Sequence, residues 1–219
     1  MKLDYNILKK CPLFSDIDIQ DIEILLNCLN IKKRRIKKDE LIFTSGDKLE
    51  YIGVVLSGNV YIVQEDYWGN RTIIASISQC GIFGESFSCS QIQSIPVSII
   101  ANTDGSILLI DCTKILTLCP SSCSFHSLLI SNLMKVLANK NIALTSKMKH
   151  ITKKTTREKV LSYLSECAVS FGKNYFEIPF NRQELADYLS VERSALSNTL
   201  CKMRDEGIIE FHKNKFHIL

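Results

Sequence analysis

Between residues 36 and 118 apolar positions come in short bursts of alternation, and turn-forming residues separate the bursts. Ser45-Gly46-Asp47 reads as a turn, 51–56 as an apolar strand, Ser57-Gly58-Asn59 as a second turn and 60–64 as an alternating strand. Trp68-Gly69-Asn70 is predicted as a hairpin tip, and 72–77 and 107–110 continue the series. No helical period of useful length intervenes, so this stretch predicts an antiparallel sheet folded on itself, a roll or barrel whose interior offers a small-ligand pocket. Upstream, residues 5–29 read as a connector followed by an acidic helix. Ser15 or Asp16 caps it, and Ile17, Ile19, Ile22, Leu25, Leu26 and Leu29 are its apolar positions. The next stretch, IKKRRIKKDELIF, holds six basic residues in eight positions, and a solvated edge strand is preferred to a nucleic-acid signal there.

Past residue 124 the period lengthens. Apolar residues at 130, 133, 137, 144, 148 and 151 make one stripe close to heptad spacing along 124–151, with Asn141 near its gap. A long helix with a single stripe between two compact parts predicts pairing with a second copy of the chain, in preference to packing on its own sheet. Residues 156–171 then read as a helix with Val160, Leu161, Tyr163 and Leu164 available to a core, and 176–180 as a short strand.

The stretch 181–207 carries two helical patterns. Asn181 is placed to cap the first through Arg182, with Glu184 as its capping-box partner and Leu185, Ala186 and Leu189 as its apolar face. Leu196, Leu200 and Met203 repeat four and three apart in the second, and Gly207 ends it. Arg193, Ser194, Ser197 and Asn198 occupy the opposite face. Two short helices joined by a tight turn describe a helix-turn-helix whose second helix enters a major groove, and Arg, Ser and Asn are residue types that read base edges. Residues 208–211 and 216–219 flank His212-Lys213-Asn214-Lys215, a hairpin with a basic tip, so that Lys213 and Lys215 form a wing over the backbone. The whole is an α+β chain. An effector-sensing β-roll spans 1–123, a dimerisation helix 124–151 and a winged helix-turn-helix 152–219.

Charge sharpens this division. Residues 1–146 hold 14 basic and 14 acidic side chains, whereas 147–219 hold 13 and 9, so the net +4 lies wholly in the last third, as a phosphate-binding face requires. No apolar run is long enough to span a bilayer and no signal peptide is visible, so a cytoplasmic location without membrane contact is expected. Nine cysteines, an odd count, read as reduced thiols in that compartment. Cys112, Cys119 and Cys123 with His126 have spacings that match no zinc or cluster pattern, and no metal site is assigned. An exposed cysteine remains a candidate thiol switch. Paired carboxylates beside a base, a nucleophile motif and a phosphate-cradling glycine loop are all missing, which argues against an enzyme.

In this order of parts, and in ELIFTSGD at 40–47, GVVLSGNVYIV at 53–63, IFGES at 82–86 and NRQELADYLSVERSALSN at 181–198, the chain resembles the Crp/Fnr family of bacterial transcription regulators. The resemblance implies a homodimer on a palindromic double-stranded operator, a small-molecule effector sensed in the β-roll and relayed through the dimer helix, and RNA polymerase as a further partner. It places Arg193, Ser194 and Asn198 against bases, makes Arg182, Gln183 and Lys202 candidates for phosphates, and puts Gly84, Glu85 and Ser86, with Asn141, at the effector. Two positions depart from the pattern: Ser190 stands where glycine is frequent, and Glu192 where a small cap residue is, leaving Ser190 as an alternative cap. Relatives that bind cyclic nucleotides follow Gly-Glu with an arginine for the phosphate. Here Ser94-Ile95-Pro96-Val97 fills that region and no arginine lies between Arg71 and Arg157, which argues against cyclic AMP because a buried phosphate would lack a cation. Cluster-type oxygen sensors carry several N-terminal cysteines. Only Cys11 and Cys28 are present there, so neither an iron-sulfur cluster nor haem is expected. A non-DNA sensing module whose C-terminal part docks a protein is the alternative reading.

Overall fold

The computed structural model describes residues 4–68, 71–90, 92–117 and 124–219. They fall into two compact units, 1–138 and 139–219. The first unit opens with α1 (Tyr5–Lys9), where a connector was expected; Asp4 caps it by accepting from the Asn6 N–H. Helix α2 (Ile19–Cys28) starts later than Ser15 or Asp16 would place it. Asp16 adopts φ +60°, which no right-handed helix continues, and Asp18 becomes the N-cap. Ile22, Leu25 and Leu26 face inward from α2, while Ile19 points outward.

The roll follows as β1 (Lys32–Ile36), β2 (Leu41–Phe43), β3 (Tyr51–Ser57), β4 (Val60–Glu65), β5 (Arg71–Ile77), β6 (Ile82–Phe83), α3 (Glu85–Ser90), β7 (Ser98–Ala101), β8 (Gly105–Asp111) and α4 (Cys112–Leu116). Two four-stranded antiparallel sheets result, in the orders β1-β8-β3-β6 and β2-β7-β4-β5. The lysine-rich β1 is an edge strand, as expected, with Lys32 on the Tyr51 hydroxyl (2.6 Å) and Arg34 on Glu40 (2.7 Å). The region expected to lack helices contains α3 and α4, of six and five residues, too short to display a helical period. Of the expected hairpin tip, Gly69 and Asn70 lie outside the described residues.

Strand β3 is apolar throughout because both its faces are covered. Ile52, Val54 and Leu56 pack with α1 and α2, whereas Val55 faces the roll interior. β8 alternates the same way, with Leu108 and Ile110 toward the helices and Ile107 and Leu109 inward. These residues pack in the interior with Ile36, Val60, Phe83, Ile95 and Ile99. Phe83 lies directly over Gly53, where a Cβ would come within 2.0 Å of its ring, so glycine is required at the centre of β3.

Helix α5 (Ser124–Ile151) carries the stripe expected to pair with a second copy, but the stripe is divided. Leu133 is buried and Ile130 and Leu137 are half-buried in the first unit's own core. Asn132 donates to the carbonyls of Leu13 (3.2 Å) and Ser15 (2.7 Å), pinning this half of the helix to the chain's start. Leu144 and Met148, in contrast, are 62% and 59% exposed, and Met134 and Ile142 on the same helix are exposed as well.

The second unit contains α6 (Thr156–Phe171), β9 (Tyr175–Glu177), α7 (Arg182–Leu189), α8 (Arg193–Asp205), β10 (Ile209–His212) and β11 (Lys215–Ile218). Thr155 and Glu158 close a capping box on α6, and Gly172 (φ +63°) ends it. β9 ends before the expected 180, ahead of Pro179, which has no N–H for a ladder. The strands form one antiparallel sheet, β10-β11-β9. Val160, Leu164, Phe176, Leu185, Leu196, Leu200, Met203, Ile209 and Phe216 make the core; Leu161, expected there, is 36% exposed.

Candidate nucleic-acid interface

Both halves of the Asn181 capping box are present. Its side chain accepts from the N–H groups of Gln183 (2.9 Å) and Glu184 (3.0 Å), and the Glu184 carboxylate accepts from the Asn181 N–H (2.7 Å). Ser190 ends α7 in a left-handed conformation (φ +52°), the role glycine would fill, at a cost of about 1 kcal/mol. It is therefore the cap of the first helix, and Glu192 is the N-cap of the second, without a side-chain hydrogen bond. The Lys159 ammonium donates to the Leu189 (3.2 Å) and Ser190 (3.1 Å) carbonyls, a cation placed at orphaned groups of a helix C-terminus.

With the turn fixed, α8 presents two unlike faces. Leu196, Leu200 and Met203 are fully buried. Arg193, Ser194, Asn198 and Lys202 are exposed and Ser197 is half-buried. The side chains of Arg193, Ser194 and Asn198 make no hydrogen bond or ion pair to other described residues, so all their donors are available to a ligand. A bidentate pair between Arg157 and Glu206 (2.9 and 2.5 Å) ties the end of α8 to α6.

The residues expected at phosphates divide. Arg182 is half-buried with its guanidinium 5.0 Å over the Phe211 ring, and burial lowers its pKa from the ordinary arginine value. Gln183 donates to Asp187 (2.9 Å). Lys213 and Lys215 are exposed on the wing, whose tip Asn214 anchors by donating to Glu177 (2.9 Å) and to the Ile178 carbonyl (3.1 Å). Pro179, Asn181, Arg182, Glu184, Lys213 and Asn214 line an open cavity of about 480 Å³ between the wing tip and the start of α7.

A feature absent from the sequence reading is the joint between α5 and this unit's helices. His150 is fully buried. Its Nδ1 lies 2.8 Å from the Ser162 hydroxyl and its Nε2 is 3.7 Å from Glu166, which also accepts from Ser146 and from Lys149 (3.1 Å). The His150 ring meets Tyr163 edge-on (5.7 Å), and Tyr163 packs on Tyr188 of α7 (5.4 Å). Burial lowers the His150 pKa, with Glu166 opposing. The unfolded chain therefore takes up this proton at a higher pH than the folded one, so stability falls as pH drops below the unfolded value of about 6.5. Glu166, lowered first by the Ser146 hydrogen bond, adds a further loss at pH values below about 4.3. The melting temperature is expected to fall between about pH 7 and 5 and to do so less in His150→Gln; an unchanged slope in that variant would remove His150 as the cause.

Of the expected effector residues, Gly84 (φ +80°), Glu85 and Ser86 form the turn into α3, with Glu85 buried and accepting from the Ser86 hydroxyl (3.3 Å). Asn141 belongs to the second unit, where its side chain accepts from Thr145 (3.5 Å). Ile95, in the region where cyclic-nucleotide binders keep a cation, is 1% exposed within the apolar interior. Among the described residues no group of three or more His, Cys, Asp or Glu side chains is placed to hold a metal, and no helix is long and apolar enough to cross a membrane. Cys119 and Cys123 lie outside the described residues.

Comparison with known proteins agrees with this geometry. The cyclic nucleotide-binding domain family matches residues 33–122 and the Crp-like helix-turn-helix domain family matches 158–219. The transcriptional activator protein FnrL of Cereibacter sphaeroides is 22% identical over 201 residues, covering 85% of this chain and 75% of the relative. Electron transport regulator A of Shewanella oneidensis is 23% identical over 208 residues, covering 86% and 74%. The solved structure of CprK complexed with OCPA shares the fold at a TM-score of 0.66 and 12% identity, over 90% of this chain and 88% of that one. The buried and exposed faces of α8, the wing beside it and the two matching domain families together place this chain in the Crp/Fnr family of DNA-binding transcription regulators.

Proposed function

We propose that the protein acts as a homodimer that reads a palindromic operator, inserting α8 of each protomer into a major groove. The observation that carries this reading is the face of Arg193, Ser194 and Asn198, exposed and without side-chain partners among the described residues, above a fully buried apolar face. Such a helix is rigid in position and free in chemistry, as base readout requires. Lys213 and Lys215 supply phosphate contacts from the wing. The exposed Leu144 and Met148 form the pairing seam, a shorter one than the full stripe. RNA polymerase is the partner a promoter-bound regulator addresses. The roll receives the effector, and the buried aliphatic Ile95, where a cation would be needed, supports a ligand other than cyclic AMP. Phosphate contacts predict that affinity for duplex DNA falls by roughly a thousandfold or more between about 50 and 200 mM salt. Fluorescence anisotropy on a mixture of genomic fragments measures this, and failure to retain any duplex at the lowest salt would refute the reading.

A further inference from the structure

Two cysteines of the roll that play no part in the reading above lie in sulfur contact. Cys89, on α3, and Cys112, at the junction of β8 and α4, have Sγ atoms 3.4 Å apart, and both thiols are free. We propose that Cys89 and Cys112 form a hydroperoxide-reactive dithiol that closes to a reversible disulfide between α3 and α4.

The two sulfurs are not equivalent. Cys112 is packed into the first unit's core at 1% exposure, yet it is part of the wall of an open cavity of about 380 Å³. Lys48, Glu50, Gln93 and Thr113, with Leu49 and Ile92, line that cavity beside Cys112, so a small polar oxidant can reach the sulfur from it. The neighbouring Cys89 thiol brings Cys112 down to about 7, assisted by Ser88 and opposed by burial, while the Cys89 thiol itself is pushed up and stays protonated. Cys112 is the sulfur on the cavity wall and Cys89 is the thiol held against it, the placement an attacking and a resolving cysteine need. The first unit contains an internal contrast. Cys11 and Cys80 both donate to the Ile7 carbonyl (3.2 and 3.5 Å), and burial pushes the Cys11 thiol up, so that neighbouring pair lacks an activated sulfur at Cys11.

The chemistry balances with a hydroperoxide as the oxidant. The Cys112 thiolate attacks a peroxide oxygen, the O–O bond breaks, and the departing hydroxide takes up a proton to leave as water, with Cys112 as sulfenic acid. The Cys89 sulfur then attacks the Cys112 sulfur. The S–O bond breaks, the hydroxide collects the Cys89 proton, and a second water leaves. Two thiols have lost two protons and two electrons, and one hydrogen peroxide has become two waters. Bond formation draws the sulfurs from 3.4 Å to about 2.05 Å, moving α3 and α4 toward each other. Both helices matter downstream. α3 starts with Glu85 and Ser86, and the Ile115 carbonyl of α4 accepts from His126 of α5 (3.0 Å). As an input to DNA binding the switch rests on the function proposed above; the sulfur chemistry does not.

The test uses fully reduced, full-length protein and one equivalent of hydrogen peroxide under exclusion of air. Intact-mass spectrometry is expected to show loss of two hydrogens, peptide mapping a Cys89–Cys112 crosslink, and dithiothreitol full reversal. In Cys89→Ser the reaction is expected to stop at a sulfenic acid on Cys112 that dimedone captures, and in Cys112→Ser no dimedone adduct is expected on Cys89. A crosslink that maps to other cysteines, or a Cys112 left unmodified in Cys89→Ser of unchanged melting temperature, would overturn the proposal. Duplex affinity is then compared between the two forms, with a difference of roughly fivefold or more expected. Equal affinity would overturn the input role, whereas failure of both forms to bind duplex would strike the proposed function and leave the disulfide standing.

Discussion

Replacing Arg193 with alanine is expected to abolish operator binding while leaving the protein folded. Arg193 is exposed on α8 and its side chain holds no described residue, so its removal takes nothing from the core formed by Leu196, Leu200 and Met203 beneath it. Its guanidinium offers two parallel donors to the O6 and N7 acceptors of a guanine, and a pair of this kind discriminates by about 1–3 kcal/mol. The proposed palindromic site presents the contact twice, about 2–6 kcal/mol in all, so the loss in affinity is roughly thirtyfold to twenty-thousandfold. Arg193→Lys separates charge from geometry, because lysine keeps the cation and loses the fork; it should retain salt-dependent, non-specific binding and lose discrimination. Gel shift against operator and scrambled duplex, with thermal melting as the folding control, measures both. If the alanine variant holds the operator with unchanged affinity, α8 is not the reading helix. Lys213→Ala offers the contrast: a wing contact to phosphate weakens binding evenly across sequences and flattens the salt dependence.

The parts of the molecule that were legible in its sequence are those whose signal is local. β3, β4, β5 and β8 were visible because apolar alternation and Gly-containing turns repeat over several residues. The Asn181 box, the 156–171 helix and the wing were visible because cap, period and turn residues sit within a few positions of one another. α3 and α4 were hidden by their length, and the early turn before α2 by a single left-handed aspartate. The site divided along the same line. Arg193, Ser194 and Asn198 face outward as the helical period required, but Arg182 turns onto Phe211, a partner far along the chain that no spacing reveals. The His150 joint is assembled from residues of α5, α6 and α7, and the Cys89–Cys112 contact joins α3 to α4. Each is a consequence of tertiary packing, in which polar partners are chosen by proximity and not by sequence.

The division of the α5 stripe gives the second large prediction. Glutamates at both Leu144 and Met148 are expected to convert the proposed dimer to monomers without unfolding either unit. In the single chain these side chains are 62% and 59% exposed, so they contribute little to its own core. Burying such a side chain fully contributes about 1.5–3 kcal/mol, and a dimer buries each of the two twice, so the seam supplies roughly 6–12 kcal/mol at most. Glutamates remove that term and set four carboxylates against one another in a desolvated strip, so a rise of roughly four orders of magnitude or more in the dissociation constant is expected. Sedimentation velocity reads the change directly, and operator affinity should fall with it because the two copies of α8 no longer share one site. Leu133→Glu distinguishes pairing from folding. Leu133 is buried in the first unit's own core, so a charge there should collapse that unit's thermal transition, whereas the double variant should keep it. A double variant that sediments as a dimer would place the pairing surface elsewhere, and the exposed Met134 and Ile142 on the same helix would be the next residues to change.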